Sequence, residues 1–292
     1  MKYYFISEHP EYPESKWVKH IEVSRSGYYN WKRTRDMREK REREYANQVR
    51  ATFISGEGTY GANRVCGKLR QEGFPCSFYK VREYMDIQGL HTIHRKRRQK
   101  SLTDSRRARG DGYFNLTKGL DIHSPFQVFS SDISYIRTGE GFEYLCQIKD
   151  VKSGIILAQS MENHMRAEIV IKTIRKAIKR WDIPVGCIFH SDRGSQYTSE
   201  AVRNLLTKEG LRQSFSRIGM PGDNSWSESF FANLKKEAVH WVHFRTRAEA
   251  RQKLFTYIEG FYNTRRVQKR LGYISPLQWL MRWNQSLQTR VA

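Results

Sequence analysis

The stretch Ile188–Tyr197, IFHSDRGSQY, constrains this chain most. An apolar run from Val185 to Phe189 leads into a carboxylate, Asp192, and then into a polar, glycine-containing turn. A buried strand delivers an acid to the rim of a sheet in this way. Two other stretches are built to meet it. Upstream, FQVFSSDISYI carries Asp132 inside a strand-like run. Downstream, SWSESFFANLKK carries Glu228 close to the start of a helix.

The texture around these acids predicts their setting. Strands are expected over 126–137, 143–152 and 154–162, with a hairpin turn at Thr138–Gly141 between the first two. AEIVIKTIRKAIKRW (Ala167–Trp181) has Ile171, Ile174 and Ile178 at helical spacing and reads as an amphipathic helix. A strand leading to Asp192 follows. A helix over 199–210, capped by Ser199 and closed by Gly210, comes next. A strand over 211–217, a loop over 218–225, and helices over 226–239 and 247–265 complete the order. Three strands, helix, strand, helix, strand and helices predict an α/β (α+β) fold, a mixed five-stranded sheet flanked by helices. Asp132 would lie on the central strand, with Asp192 at the end of its neighbour.

The segment before position 124 has a different character. Residues 1–40 read as short helical pieces, among them SRSGYYNWKR, where Ser24 or Ser26 caps a helix and Tyr28, Tyr29 and Trp31 either pack or face DNA. REKREREYANQVRATF follows as a charged helix with Tyr45, Val49 and Phe53 on one face. Residues 59–92 read as two short helices broken at Gly73-Phe74-Pro75, with Val65 and Leu69 inward on the first. Ser77 caps the second, which carries Lys80 and Arg82 outside. A helical hairpin with bases on its second helix is the shape of a DNA-binding helix-turn-helix. Residues 93–123 hold the most basic run. Arg95, Lys96, Arg97 and Arg98 open a stretch to Arg109 with eight Lys/Arg and one acid, Asp104. Such a run stays extended unless an anion neutralises it, and it suits a track along a phosphate backbone.

The divisions expected are thus 1–58 helical, 59–92 helix-turn-helix, 93–123 basic linker, 124–240 catalytic core and 241–292 helical extension. Charge supports the partner. The chain has 52 Lys+Arg against 30 Asp+Glu, a net charge of +22 and a pI near 10.0. An excess of that size points to a polyanion, nucleic acid first. The four cysteines are scattered with no CxxC pair, which argues against zinc. No apolar run approaches the length of a membrane span, and the N-terminus lacks a signal-peptide core, so a reducing, cytoplasmic setting is expected.

Three clustered carboxylates suit phosphoryl transfer. Mg²⁺ is a hard ion that takes oxygen ligands, and paired ions of this kind sit roughly 3.5–4 Å apart. Other acids compete for the roles: Asp150 for the first, Asp223 or Glu237 for the third. His190 is a candidate base, with a buried structural histidine as the plainer reading.

The motifs SDISYI, HSDRGSQYTS, GDNSWSESFFANLKKE and GYISPLQWL, with 35 residues between Asp192 and Glu228, together resemble the DDE transposases of bacterial insertion sequences. The match is to the OrfB type of insertion-sequence family three, related to the retroviral integrase core. The likeness extends from SRSGYYNW through YGANRV to YNTRRVQKRLGYISP. It implies an RNase H-like fold and metal-dependent cutting and joining of DNA strands. Asp132, Asp192 and Glu228 would be the catalytic metal ligands for two Mg²⁺ ions, with Mn²⁺ able to substitute. It implies that Lys235, seven residues past the Glu and so on nearly the same helix face, contacts DNA. Ser191, Gly194, Gln196 and Asn224 would shape the site or touch DNA. Arg265, Arg266, Lys269 and Arg270 would extend the DNA track or form a solvated face. The implied partners are double-stranded DNA at terminal inverted repeats and target, a second copy in a dimer or larger synaptic complex, and an OrfA-type protein or fusion. The last follows because the chain has no sustained heptad. The setting would be the bacterial cytoplasm, at the nucleoid. Two alternatives stay open: a catalytically inactive DNA-binding regulator, and an RNase H-like nuclease without strand transfer.

Overall fold

The computed structural model describes residues 1–93, 113–217 and 220–291. Five strands form one mixed sheet in the order β3-β2-β1-β4-β5. They are β1 (Val128–Thr138), β2 (Gly141–Asp150), β3 (Ile156–Glu162), β4 (Ile188–Ser191) and β5 (Arg212–Phe215). β1–β2 and β2–β3 are antiparallel, and β1–β4 and β4–β5 are parallel. The expected mixed five-stranded sheet is present, with the Asp132 strand at its centre. The parallel half is made by crossovers through helices, as such pairings require.

The N-terminal third holds α1 (Lys2–Glu8), α2 (Glu14–His20), α3 (Arg25–Ser55), α4 (Ala62–Gln71) and α5 (Phe78–Ile87). Here the structure departs from expectation. The charged helix does not begin near position 41 but is the second half of one 31-residue helix, α3. Ser24 is its N-cap, accepting from the Gly27 amide. Nothing between Arg25 and Ser55 breaks the run, since it contains neither proline nor a glycine beyond its first turn. Tyr28 and Trp31 are buried in a small cluster with Ile6 and Val18, so they build that subdomain's core rather than a DNA face.

After the sheet's first hairpin come α6 (Ala167–Arg180), the short α7 (Ser195–Thr198), α8 (Glu200–Lys208), α9 (Ser225–Leu234), α10 (Arg247–Phe255) and α11 (Pro276–Val291). α9 runs on into a π-helical stretch, Lys235–Val239, and α10 into another, Thr256–Tyr262. The sequence reading missed α11, where Pro276 opens a 16-residue helix.

Two cores sandwich the sheet. One packs Phe129, Cys146 and Ile148 against α6 and α8. The other packs Ile136, Leu145 and Ile156 against α9, α10 and their π-helical continuations, and it also takes in Tyr45 from α3, Tyr60 from the turn after it, and Val65 and Leu69 from α4. The helical hairpin, the sheet and the C-terminal segment therefore share one apolar core. Tyr60 seals the joint: its hydroxyl donates to the Arg265 carbonyl and accepts from the Val267 amide, each at 2.9 Å. Among the described residues, no helix is long and apolar enough to cross a membrane.

Candidate active site

β1 and β4 run parallel with Ser130 opposite His190. Asp132 lies two residues beyond the first and Asp192 two beyond the second. Side chains repeat every two residues along a strand, so the register carries both acids to the same end and face of the sheet. This is the C-terminal edge of the parallel pair, where open α/β sheets form crevices.

Short bonds fix this end. The Ser131 hydroxyl donates to the Gln147 carbonyl at 2.8 Å, leaving its oxygen to accept from the Tyr197 hydroxyl at 2.9 Å. Tyr197, fully buried on α7, thereby ties the segment after Asp192 to the residue before Asp132. The Asn224 amide donates to the Ser131 carbonyl at 3.2 Å. Gly194 donates its amide to Asp192 at 3.0 Å. A Cβ there would stand 2.8 Å from Gln196 Oε1 and 3.1 Å from Asp192 Oδ1, so a larger residue would displace these two side-chain ends. Gln196 itself donates to the Met165 carbonyl at 3.0 Å.

Glu228 sits in the first turn of α9 and is exposed. The start of that helix is anchored to β2. Gln147 donates its side-chain amide to the Ser227 hydroxyl at 2.9 Å, and the Lys149 amino group, whose pKa burial pushes down to about 7, donates to the Trp226 carbonyl at 2.9 Å. Lys235 closes the far end of α9, with its ammonium 5.1 Å from the centre of the Tyr135 ring. Lys235 also lies within Coulombic range of Asp132, since each shifts the other's titration.

The electrostatics identify one cluster. Burial and then the Asp192 charge push the Asp132 carboxyl up to about 7, against the Ile133 amide, which donates to it at 2.7 Å. Glu228 raises it further and Lys235 lowers it. Asp192 reaches solvent, yet the surrounding protein still raises its carboxyl, opposed by the Gly194 amide. The Asp192 charge helps hold the proton on Asp132. Burial lowers the Lys235 ammonium, and Asp132 opposes that.

Does this donor set fit a cation? The donors are hard oxygens, as Mg²⁺ requires. Two neighbouring carboxylates resist ionising together, and a cation between them would remove that cost. The buried Asn224 Oδ1 adds an acceptor with no hydrogen-bond partner in the same place. Among the described residues, no three His, Cys, Asp or Glu side chains are closed into a cation cage. The acids lie within Coulombic range, with Glu228 exposed in its helix turn. The set fits a divalent cation at that level.

The competing acids are all engaged elsewhere. Asp150 accepts from the Phe126 amide at 2.8 Å and from the Ser153 amide at 2.7 Å, binding a turn. Asp223 pairs with Arg217 at 3.0 Å, which with the Asn115 amide holds its carboxyl far below the usual range. Glu237 is locked to Arg266. His190 is buried between the Ser214 and Ser216 hydroxyls, at 2.9 and 3.2 Å, and burial lowers its pKa, so it is a neutral structural histidine.

The bases expected on DNA divide. Lys80 is turned inward, 3.0 Å from Glu42 and 4.6 Å above the Tyr45 ring. Arg82 projects from α5 beside Asp86 and is exposed. Arg95, Lys96, Arg97 and Arg98 lie outside the described residues. In the C-terminal segment, Arg266 is buried, Arg265 pairs with Glu57 at 2.7 Å, and Arg270 donates to the Lys152 carbonyl at 2.8 Å. Arg266 is thus a core residue, whereas Arg265, Lys269 and Arg270 are exposed. Sequence reasoning missed Ser131, Gln147, Lys149 and Tyr197. The signal was available: polar side chains at 147 and 149 interrupt a strand that reads as buried on both faces.

Comparison with known proteins gives the frame for this geometry. Residues 122–221 and 228–287 match integrase core domains, and residues 39–98 match an HTH-like domain. The chain is 34% identical over 285 residues to the transposase InsF for insertion sequence IS3A of Escherichia coli (strain K12), covering 96% of this chain and 98% of that protein. It is 35% identical over 244 residues to the transposase for insertion sequence element IS904 of Lactococcus lactis, covering 83% and 96%. The catalytic core domain of BIV integrase superposes with a TM-score of 0.41 at 17% identity, over 57% of this chain and 99% of that one. The HTLV-2 integrase core in complex with magnesium gives 0.41 at 17% identity, over 53% and 95%. With 34% identity to an InsF transposase over nearly its full length and two stretches that match integrase core domains, this chain belongs to the DDE transposases of the IS3 family.

Proposed function

We propose that this transposase cuts and joins DNA strands at Asp132, Asp192 and Glu228, which hold two Mg²⁺ ions, with Mn²⁺ as a working substitute. The observation that carries the reading is the β1–β4 register, which sets Asp132 and Asp192 side by side where Glu228 and Lys235 also act on Asp132.

A divalent cation bound there supplies a lowered pKa for the attacking water or 3′-hydroxyl and a counter-charge for the phosphodiester. The chain's own residues do the rest. The three carboxylates offer only oxygen donors and hold the cations in place. Lys235 sets a positive charge against the phosphate approaching Asp132. Gly194 and Tyr197 keep the Asp192 turn fixed, so little reorganisation is needed as the attacking oxygen bonds to phosphorus and the leaving oxygen departs.

The substrate is double-stranded DNA: the element's terminal inverted repeats and a target. The HTH-like pair, with Arg82 outward, contacts the duplex. Two ends must be held together, which calls for a dimer or a larger assembly, with an OrfA-type protein or fusion supplying end recognition. The work is done in the bacterial cytoplasm, at the nucleoid. Intact acids beside Lys235 favour this reading over an inactive regulator. The test is incubation of the protein with an oligonucleotide of the element's end and Mg²⁺ or Mn²⁺. A nicked or joined product is expected, and DNA binding without either product counts against the proposal.

A further inference from the structure

Gln147 is fully buried in β2, directly opposite Asp132 in the antiparallel register. Opposed residues of antiparallel strands project on the same face, so the two side chains stand side by side. From there Gln147 reaches α9 and donates to Ser227, itself fully buried and adjacent to Glu228. Two residues along the same face, Lys149 donates to the Trp226 carbonyl. β2 thus pairs with the strand that carries the first acid and holds the helix turn that carries the third.

We infer that Gln147, with Lys149, is a positioning residue that sets the place of Glu228 relative to Asp132. The physical case is cost. A buried amide and a buried lysine amino group, whose pKa burial pushes down to about 7, are expensive unless their bonds are used. Gln147 Oε1 has no partner, so this amide is not there to satisfy itself. Both groups spend their donors on the two residues before Glu228. The side chain of Glu228 is long and exposed, so its reach to the aspartates depends on where its backbone is pinned. The inference rests on the reading of Glu228 as a metal ligand.

The test compares Gln147→Met, Ser227→Ala and the double variant with wild type in the full-length chain. Mn²⁺ affinity is read by thermal shift, joining of an end oligonucleotide at saturating Mn²⁺ is read on gels, and stability is read by melting without metal. Loss of outer partners of this kind typically weakens metal affinity or activity about 10- to 100-fold. Each single variant should show a loss of that size in Mn²⁺ affinity and in joining. Removing both partners leaves no unpaired polar group, so the double variant should regain melting temperature. It should not regain Mn²⁺ affinity. A double variant that recovers both would reduce the pair to a packing role and overturn the inference, as would wild-type Mn²⁺ affinity in the single variants. If Gln147→Met does not fold, Ser227→Ala alone decides by the same readings. Glu228→Gln runs in parallel: wild-type Mn²⁺ affinity there sinks the acid assignment and this inference together, whereas its loss beside unaffected Gln147 and Ser227 variants sinks only the inference.

Discussion

Arg266 grips Glu237 with two parallel hydrogen bonds, at 2.7 and 2.6 Å, and both side chains are buried. Glu237 lies on the π-helical continuation of α9, and Arg266 follows the π-helical continuation of α10. Burial pushes the Glu237 carboxyl up, but Arg266, joined by the Tyr257 hydroxyl at 2.7 Å, more than offsets this and leaves it below its ordinary value. Arg64 of α4 stands 3.8 Å from the same carboxylate. One ion pair therefore joins the helical hairpin, the catalytic helix and the C-terminal segment.

Breaking that pair leaves a buried carboxylate with the Tyr257 hydroxyl bond but no cation nearer than Arg64, at 3.8 Å. Arg266→Met should cost about 3–5 kcal/mol of stability, the usual size for such a break. Denaturant unfolding of the variant against wild type measures it. A loss no larger than that of an exposed pair would mean the Glu237 site is wetter than it looks.

The three acids make the sharpest functional prediction. Asp132→Asn, Asp192→Asn and Glu228→Gln should each abolish cleavage and joining while DNA binding, read by gel shift, persists. Residual joining in any one would remove that residue from the assignment.

A pH dependence follows from Asp132. Its carboxyl is raised from 3.8 to about 7 in the folded protein. A group with a raised folded pKa contributes stability below its unfolded pKa, and that contribution is lost as pH rises through the folded one. Metal-free protein should therefore lose stability between about pH 4 and 7 from this site. Mg²⁺ or Mn²⁺ binds the ionised form, so the metal-induced rise in melting temperature should be larger at pH 8 than at pH 5. A metal-induced shift equal at both pH values would contradict the coupling.

Gly67 tests how the helical hairpin docks. A Cβ on Gly67 would stand 2.2 to 2.5 Å from the Tyr273 ring, so α4 meets the GYISP turn with no room to spare. Gly67→Ala should destabilise by about 1–3 kcal/mol, as overpacking does. Gly67→Ala with Tyr273→Ala should recover part of that loss in the same unfolding assay.

DNA binding should also weaken steeply with salt, because each phosphate contact releases counterions. With six or more contacts the affinity would drop by about 10³-fold or more between roughly 50 and 200 mM salt. A flat salt response in filter binding would argue against phosphate contacts by the basic segments.

The sequence by itself determined the elements and the candidate acids. Strand-like runs ending in turns, amphipathic spacing in α6 and the caps at Ser24, Ser77 and Ser199 are local signals, readable because they depend on neighbouring residues. Asp132, Asp192 and Glu228 stood out for the same reason, each placed at the end or inside of such an element. Tertiary structure decided what local signals do not encode. It set the parallel register of β1 and β4, which turns two distant aspartates into one electrostatic pair. It gave Asp150, Asp223 and Glu237 other partners and buried Arg266, while Arg265 pairs with Glu57 and Arg270 with the Lys152 carbonyl. It also placed Gln147 and Lys149 under the first turn of α9. The physical reason is range: a strand or a cap is set within a few residues, whereas a charge's pairing depends on what the fold brings within a few ångströms from a hundred residues away.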